Sequence, residues 1–138
     1  MKWVFGWGVI LALAGGGCAS GGHLGAKALS QQSKSLQSEA AEGALLARDV
    51  ASGRTTRVYT RKHSSELSRV ASHAERTLNA AKTAPALESS MHRLAVLAGQ
   101  VSADLQRLGN ASRDEAGVLA RELQAAVRTG QKIDGGLE

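Results

Sequence analysis

The sequence has few of the residues that build disulfide-bonded proteins or base-stacking surfaces. It contains one cysteine and one proline, and aromatic residues make up only 3% of the chain. A single cysteine excludes an internal disulfide framework. Trp3, Phe5 and Trp7 precede Cys18, and Tyr59 is the aromatic residue that follows it. Because single-stranded nucleic acids are bound on aromatic platforms, we expect no nucleic-acid partner.

The N-terminus has the layout of an export signal. Lys2 is followed by an uncharged, mostly apolar run from Trp3 to Ala14 and then by small residues. This order of charge, short apolar stretch and small residues is typical of a secretory signal. A membrane-spanning helix needs roughly 20 apolar residues, and this run is shorter. An uncleaved membrane anchor is the alternative.

The residues Gly15-Gly16-Gly17-Cys18 end this run. They resemble the lipobox of bacterial lipoproteins, in which small residues precede a cysteine that is diacylated and becomes the new N-terminus. Gly16 and Gly17 match that pattern, whereas Gly15 stands where a branched apolar residue is usual. Lipidation would also account for the odd cysteine, which is otherwise an incidental small residue at a cleavage site.

The resemblance implies that residues 1–17 are a lipoprotein signal peptide and that a lipid on Cys18 holds the chain on a membrane of the cell envelope. Ala19 follows Cys18 in place of the aspartate associated with inner-membrane retention. In a host with two membranes, this implies the outer membrane or its periplasmic face. Residues 18–26 are rich in glycine, which predicts a flexible linker behind the lipid.

The sequence of residues 27–135 predicts one helical domain. Good helix formers dominate, and apolar or small residues recur at alternating steps of four and three, which places them on one face of a helix. Four sets follow this spacing: Leu29, Ser33, Leu36, Ala40, Gly43, Ala47 and Val50; Tyr59, His63, Leu67, Val70, Ala74, Thr77 and Ala81; Leu87, Met91, Leu94, Ala98, Val101, Leu105 and Leu108; Ala116, Leu119, Leu123, Ala126, Gly130 and Ile133.

Helix-stop and helix-start signals separate these sets. Gly53 follows the first set, Pro85 stands before the third, and Gly109 follows it. Ser112 and Glu115 form a capping-box pattern before the fourth. We therefore predict an all-α protein, an antiparallel up-and-down four-helix bundle, with a three-helix bundle and a loose first helix as the alternative. The small residues in the sets predict a thin core, modest stability and a tendency to self-associate.

The positive charge of the domain is concentrated at one turn. The chain carries a net charge of +5, and Arg54, Arg57, Arg61 and Lys62 fall within nine residues that contain no acid. Such a cluster attracts anionic surfaces such as phospholipid headgroups. The alternative is an ordinary solvated turn.

Few residues suggest a catalytic, ligand-binding or metal-binding site. Tyr59, His63 and Glu66 are spaced to share a helix face and form the one candidate ligand or metal site. No further metal-binding residue is spaced to complete a set of ligands. A hydrogen-bonded polar residue is therefore the simpler interpretation of His63. The sequence contains no motif of an enzyme or of a cofactor site. It thus predicts a non-enzymatic envelope lipoprotein that contacts a protein partner or an anionic surface, with a small ligand- or metal-binding bundle as the alternative.

Processing at Cys18 is directly testable by mass spectrometry of the full-length protein purified from its host. We expect loss of Met1 to Gly17 and a diacylglycerol-type adduct, because the lipobox resemblance implies both. The Cys18→Ser variant should lack the adduct. A chain that retains Met1 would contradict the lipoprotein prediction and favour the uncleaved anchor.

Overall fold

The computed structural model describes residues 22–138, and this part of the chain is an all-α helical bundle, as predicted. The predicted signal peptide and Cys18 lie outside the described residues. Four α-helices account for most of the fold, and a short 3-10 turn, Pro85–Leu87, leads into the third. The helices are α1 (Ala26–Ala51), α2 (Arg57–Ala80), α3 (Glu88–Leu108) and α4 (Arg113–Gly135). None of these helices combines the length and apolar character required to cross a bilayer.

The helix ends follow the signals in the sequence. Gly53 follows α1 with a φ of 70°, a left-handed conformation that glycine adopts without steric penalty. The Ser112 hydroxyl accepts a hydrogen bond from the Glu115 amide at 3.2 Å and caps α4. The Glu115 carboxylate instead lies 3.5 Å from Arg107 Nη2, so only half of the predicted capping box forms.

The helices pack mainly as two pairs, α1 against α4 and α2 against α3, with smaller contacts between the pairs. The first helix is therefore part of the bundle and not a loose extension. Leucines from α1, α3 and α4 fill the core where the sequence predicted their stripes. The fully covered members are Leu29, Leu36, Leu94, Leu105, Leu108, Leu119 and Leu123.

The predicted buried face of α2 is wrong at most positions, because the helix buries a face shifted by about one residue along the sequence. The sequence spacing placed Tyr59, His63 and Val70 inward, but Tyr59 is 56% exposed and Val70 is 46% exposed. The buried positions are instead Thr60, Ser64, Leu67, Ser68, Ala71, Ala74 and Leu78.

Hydrogen bonding between helices explains this rotation. Ser68 Oγ donates to the Ser102 carbonyl at 3.2 Å, and Ser102 Oγ donates to the Ser68 carbonyl at 3.2 Å. Buried hydroxyls that satisfy each other in this way avoid the penalty of burying unpaired polar groups. Small serines also allow α2 and α3 to approach closely, so α2 buries its serine face and leaves its larger apolar residues outside.

The bundle has two distinguishable ends. At the first, strand β1 (His23–Leu24) pairs in parallel with β2 (Lys82–Thr83), and Lys34 lies 4.0 Å from Asp134 of α4. We call this the strand end. The predicted flexible linker, residues 18–26, is ordered in its last part, since β1 forms there and α1 begins at Ala26.

The opposite end contains the α1–α2 and α3–α4 turns. A Cβ placed on Gly53 would lie 2.7 Å from Arg113 Nη2, and one placed on Gly109 would lie 3.1 Å from Ser64 Oγ. The α1–α2 turn therefore meets the start of α4, and the α3–α4 turn meets the start of α2. We call this the basic end, defined by residues 52–57 and 109–113.

A glycine in the core provides a test of the packing. A Cβ on Gly43 would lie 2.5 Å from Leu105 Cδ2 and 3.2 Å from Leu123 Cδ1, and both leucines are fully buried. We expect Gly43→Ala to lower the free energy of unfolding by about 1–2 kcal/mol, because the clash outweighs the gain in helix propensity.

Gly117→Ala is the matched control, because Gly117 lies inside α4 and a Cβ there would meet nothing within 4 Å. This change should raise the free energy of unfolding by up to about 1 kcal/mol. Urea unfolding of both variants measures the difference. Equal stabilisation by the two changes would show that the α1 core is looser than described.

Candidate anion-binding surface

Within residues 22–138, three of the four predicted basic residues have no acidic partner. Arg54 is neutralised, since its Nη2 and Nε lie 2.8 and 3.1 Å from Asp49 Oδ1. Arg57, Arg61 and Lys62 lie exposed on the first turns of α2, and no carboxylate of residues 22–138 comes within 4.0 Å of their charged groups. Their charge is available to an outside anion.

Arg113 joins this surface from another helix. It is the first residue of α4, and its guanidinium packs over Gly53, beside the α1–α2 turn. The run of cations in the sequence does not include it, because Arg113 is more than fifty residues away along the chain. An up-and-down arrangement, which the sequence predicts, would bring the α1–α2 and α3–α4 turns to one end. The topology, and not the spacing of charges, is therefore the signal that could have found Arg113.

Two helices begin at the basic end, and the first turn of α2 contains no acidic residue to offset its partial positive charge. Helices α2 and α4 both begin there, and the first turn of a helix carries a partial positive charge. Between them lies a cleft of about 190 Å³ whose lining contains no acidic residue. The lining of this cleft includes Arg57, Arg113, Thr55, Thr60 and Ser112. Asp114 and Glu115 in the first turn of α4 offset the positive charge of that helix N-terminus, and Arg107 lies 3.5 Å from the Glu115 carboxylate.

Apolar side chains stand next to these free cations. Val58 is 80% exposed and Tyr59 is 56% exposed, and both lie within α2 between Arg57 and Lys62. The surface therefore combines cations with one aromatic and one aliphatic group. We name Arg57, Val58, Tyr59, Arg61, Lys62 and Arg113 the basic patch.

The predicted trio of Tyr59, His63 and Glu66 does come together, but as part of a link between helices. The Tyr59 and His63 rings stack with centroids 5.4 Å apart. His63 Nε2 lies 2.7 Å from Glu42 Oε1 on α1, and His63 Nδ1 lies 3.8 Å from Glu66 Oε2. Both ring nitrogens thus face carboxylates. The partner on α1, Glu42, was not predicted.

This cluster does not form a metal-ligand set. Among residues 22–138, no group of three or more His, Cys, Asp or Glu side chains is arranged to hold a metal ion. His63 lies at the boundary between α1 and α2 and not in the core, with a quarter of its side chain exposed. The geometry favours a polar clamp between the two helices.

One carboxylate beside the clamp is poorly accommodated. Glu39 Oε2 is buried and has no hydrogen-bond partner in the part of the chain that the structure describes. Burial raises the pKa of Glu39 above its ordinary value, the nearby Glu42 carboxylate raises it further, and His63 opposes both effects. The ionised form of Glu39 is therefore less stable in the folded state than in the unfolded chain.

Comparison with known proteins finds no family model, curated protein or solved structure that matches this chain.

The unpartnered carboxylate leads to a prediction on stability. Because the folded-state pKa of Glu39 is raised, the free energy of unfolding falls as the pH rises from the unfolded value near 4.5 through the folded value. Glu39→Gln removes the charge and keeps the shape. We expect it to raise the melting temperature at pH 7 by roughly 1–4 °C and to have little effect near pH 4.

Glu88→Gln, in the exposed first turn of α3, is the matched control and should not increase stability at pH 7. Thermal melts of the three proteins across this pH range make the comparison. A Glu39→Gln variant that melts below the wild type at pH 7 would contradict the account of a desolvated carboxylate.

Proposed function

We propose that this chain is a non-enzymatic envelope lipoprotein whose bundle is anchored by lipid at the strand end and contacts an anionic membrane surface with the basic end. The observation that carries the proposal is the position of the basic patch. Its unpaired cations and exposed apolar groups lie at the end of the bundle opposite to the point where the chain enters it.

The proposal includes the antiparallel up-and-down arrangement of the four helices. The β1–β2 pair joins the start of α1 to the end of α2, and Lys34 near the start of α1 approaches Asp134 near the end of α4. At the other end, Gly53 meets Arg113 and Gly109 meets the start of α2. Alternating helix directions account for all of these contacts.

The lipid and the basic patch would then be far apart. Extended chain covers at most about 3.6 Å per residue, so a lipid on Cys18 would lie within roughly 15 Å of Gly22 at the strand end. Helix α1 has 26 residues and spans about 39 Å. An upright bundle would therefore hold the basic patch away from its own membrane and present it to a second surface.

The composition of the patch suits a bilayer surface. Arg57, Arg61, Lys62 and Arg113 would interact with lipid phosphates, at about 1 kcal/mol for each cation near an anionic surface. Tyr59 would lie at headgroup level, where tyrosine is enriched, and Val58 would enter the edge of the acyl region. Binding of this kind is weak and depends on salt, because the cations are exposed.

Vesicle clustering tests the proposal with the full-length lipidated protein. The protein is inserted into phosphatidylcholine vesicles and mixed with vesicles that contain phosphatidylglycerol. We expect clustering at low salt, and we expect the triple change Arg57→Ser, Arg61→Ser and Lys62→Ser to weaken it roughly 100-fold because three cations are lost. Light scattering follows the reaction.

The matched control is Arg121→Ser, Arg128→Ser and Lys132→Ser, three exposed cations of α4 that lie outside the patch. It changes the net charge equally and should cluster vesicles nearly as well as the wild type. An equal loss in both triple variants would show that net charge, and not the basic patch, drives binding. Vesicle clustering that neither triple variant weakens would refute the proposal.

A further inference from the structure

A second group of cations lies on the side of α2 that faces α3. Arg61 and Arg69 border a groove of about 390 Å³ between these helices. Ser65 and Ser72 of α2 and Gln106 and Asn110 near the end of α3 also line it. A volume of this size falls within the range of small-molecule sites in proteins.

The groove is rich in donors and has no negative charge in its lining. None of its lining residues is acidic. No carboxylate of residues 22–138 lies within 4.0 Å of the guanidinium of Arg61 or Arg69. Glu66, which precedes Arg69 by one turn, points its carboxylate toward His63. The two arginines therefore lack the internal partners that ordinary surface arginines often find.

The floor of the groove is shaped by small residues. Ser64 and Ser68 are buried, and their hydroxyls are bonded to the Arg61 carbonyl and to Ser102. A Cβ on Gly109 would lie 3.1 Å from Ser64 Oγ, so glycine keeps the α3 end of the groove open. On the walls, Gln106 Nε2 lies 3.5 Å from Ser102 Oγ and Ser72 Oγ accepts from Arg76, whereas the Arg61 and Arg69 guanidinium groups face no carboxylate of residues 22–138.

The spacing of the two arginines suits a phosphate group. They are separated by about 12 Å along α2, and both side chains line the same groove. The planar guanidinium pairs with phosphate oxygens through two parallel hydrogen bonds, and serine hydroxyls and side-chain amides satisfy the remaining oxygens. A phosphomonoester, with a charge of about −1.5 to −2, gains most from two such cations.

We propose that the α2–α3 groove binds a phosphomonoester group, presented as the headgroup of the membrane lipid that the basic patch contacts. Arg61 belongs to both surfaces, so the groove continues directly from the patch. The assignment of the phosphomonoester to a membrane lipid rests on the proposed function, whereas phosphate recognition by the groove does not.

The test compares vesicles of phosphatidylcholine that contain either phosphatidic acid or phosphatidylglycerol, matched in surface charge. Phosphatidic acid exposes a phosphomonoester and phosphatidylglycerol a phosphodiester. The full-length protein should bind the phosphatidic acid vesicles more tightly. Arg69→Gln should weaken that binding roughly tenfold, the effect of losing a charged hydrogen-bond partner, and change binding to phosphatidylglycerol by less than about twofold.

Arg128→Gln on α4 is the matched control and should preserve the preference for phosphatidic acid. Arg69 is exposed, so its replacement should not unfold the bundle, and a thermal melt verifies this. Equal weakening for both lipids by Arg69→Gln, or no preference in the wild type, would overturn headgroup recognition by the groove.

A titration with glycerol 3-phosphate, followed by NMR of the amide groups, separates the two proposals. Saturable shifts at Ser65, Gly109 and Asn110 that Arg69→Gln abolishes would support the groove as a phosphate site even if neither vesicle type binds. That combination would refute the membrane-docking proposal alone and identify a soluble phosphomonoester as the ligand. The absence of both saturable shifts and lipid preference would refute the groove as a site.

Discussion

Close packing through small side chains is the constraint on which this bundle depends. Ser68 and Ser102 exchange hydrogen bonds between α2 and α3, and Gly43 leaves room for two buried leucines from α3 and α4. These contacts draw the helices together without large apolar side chains on every face. They also fix the rotation of α2 about its axis. That rotation leaves Tyr59 outside, where it lies among free cations.

The rotation of α2 links stability to the proposed contact surface. If α2 buried the larger side chains of its predicted stripe, Tyr59 and Val70 would enter the core and the serine face would turn outward. The structure does the reverse, and the exposed sector of α2 carries Arg57, Arg61 and Arg69. The polar clamp of His63 with Glu42 holds α2 against α1 on the other side. The packing of its small residues therefore leaves Tyr59 and Val70 exposed, on a helix whose cations lie outside both the predicted and the observed buried face.

Much of the fold follows from sequence alone, because three helices have leucine-rich stripes and their ends carry glycine, proline or serine signals. The predicted buried face of α2 was wrong because a prediction from apolar spacing favours burial of Tyr59 and Val70 over burial of serine. In the structure, the hydrogen bonds between Ser68 and Ser102 favour burial of the serine face. The contribution of Arg113 to the basic patch and of Glu42 to the clamp depends on contacts between distant helices. Sequence spacing within α2 contains no information on either contact.

The proposed function places a lipid anchor and the basic patch at opposite ends of the bundle, and the height of the protein above a bilayer tests this separation most directly. Neutron reflectometry of the full-length lipidated protein on a supported phosphatidylcholine bilayer measures that height. An upright bundle predicts a protein layer of about 40 Å, the length of α1. A layer of about 20 Å, the thickness of two packed helices, would show that the bundle lies flat on its own membrane and would contradict the account.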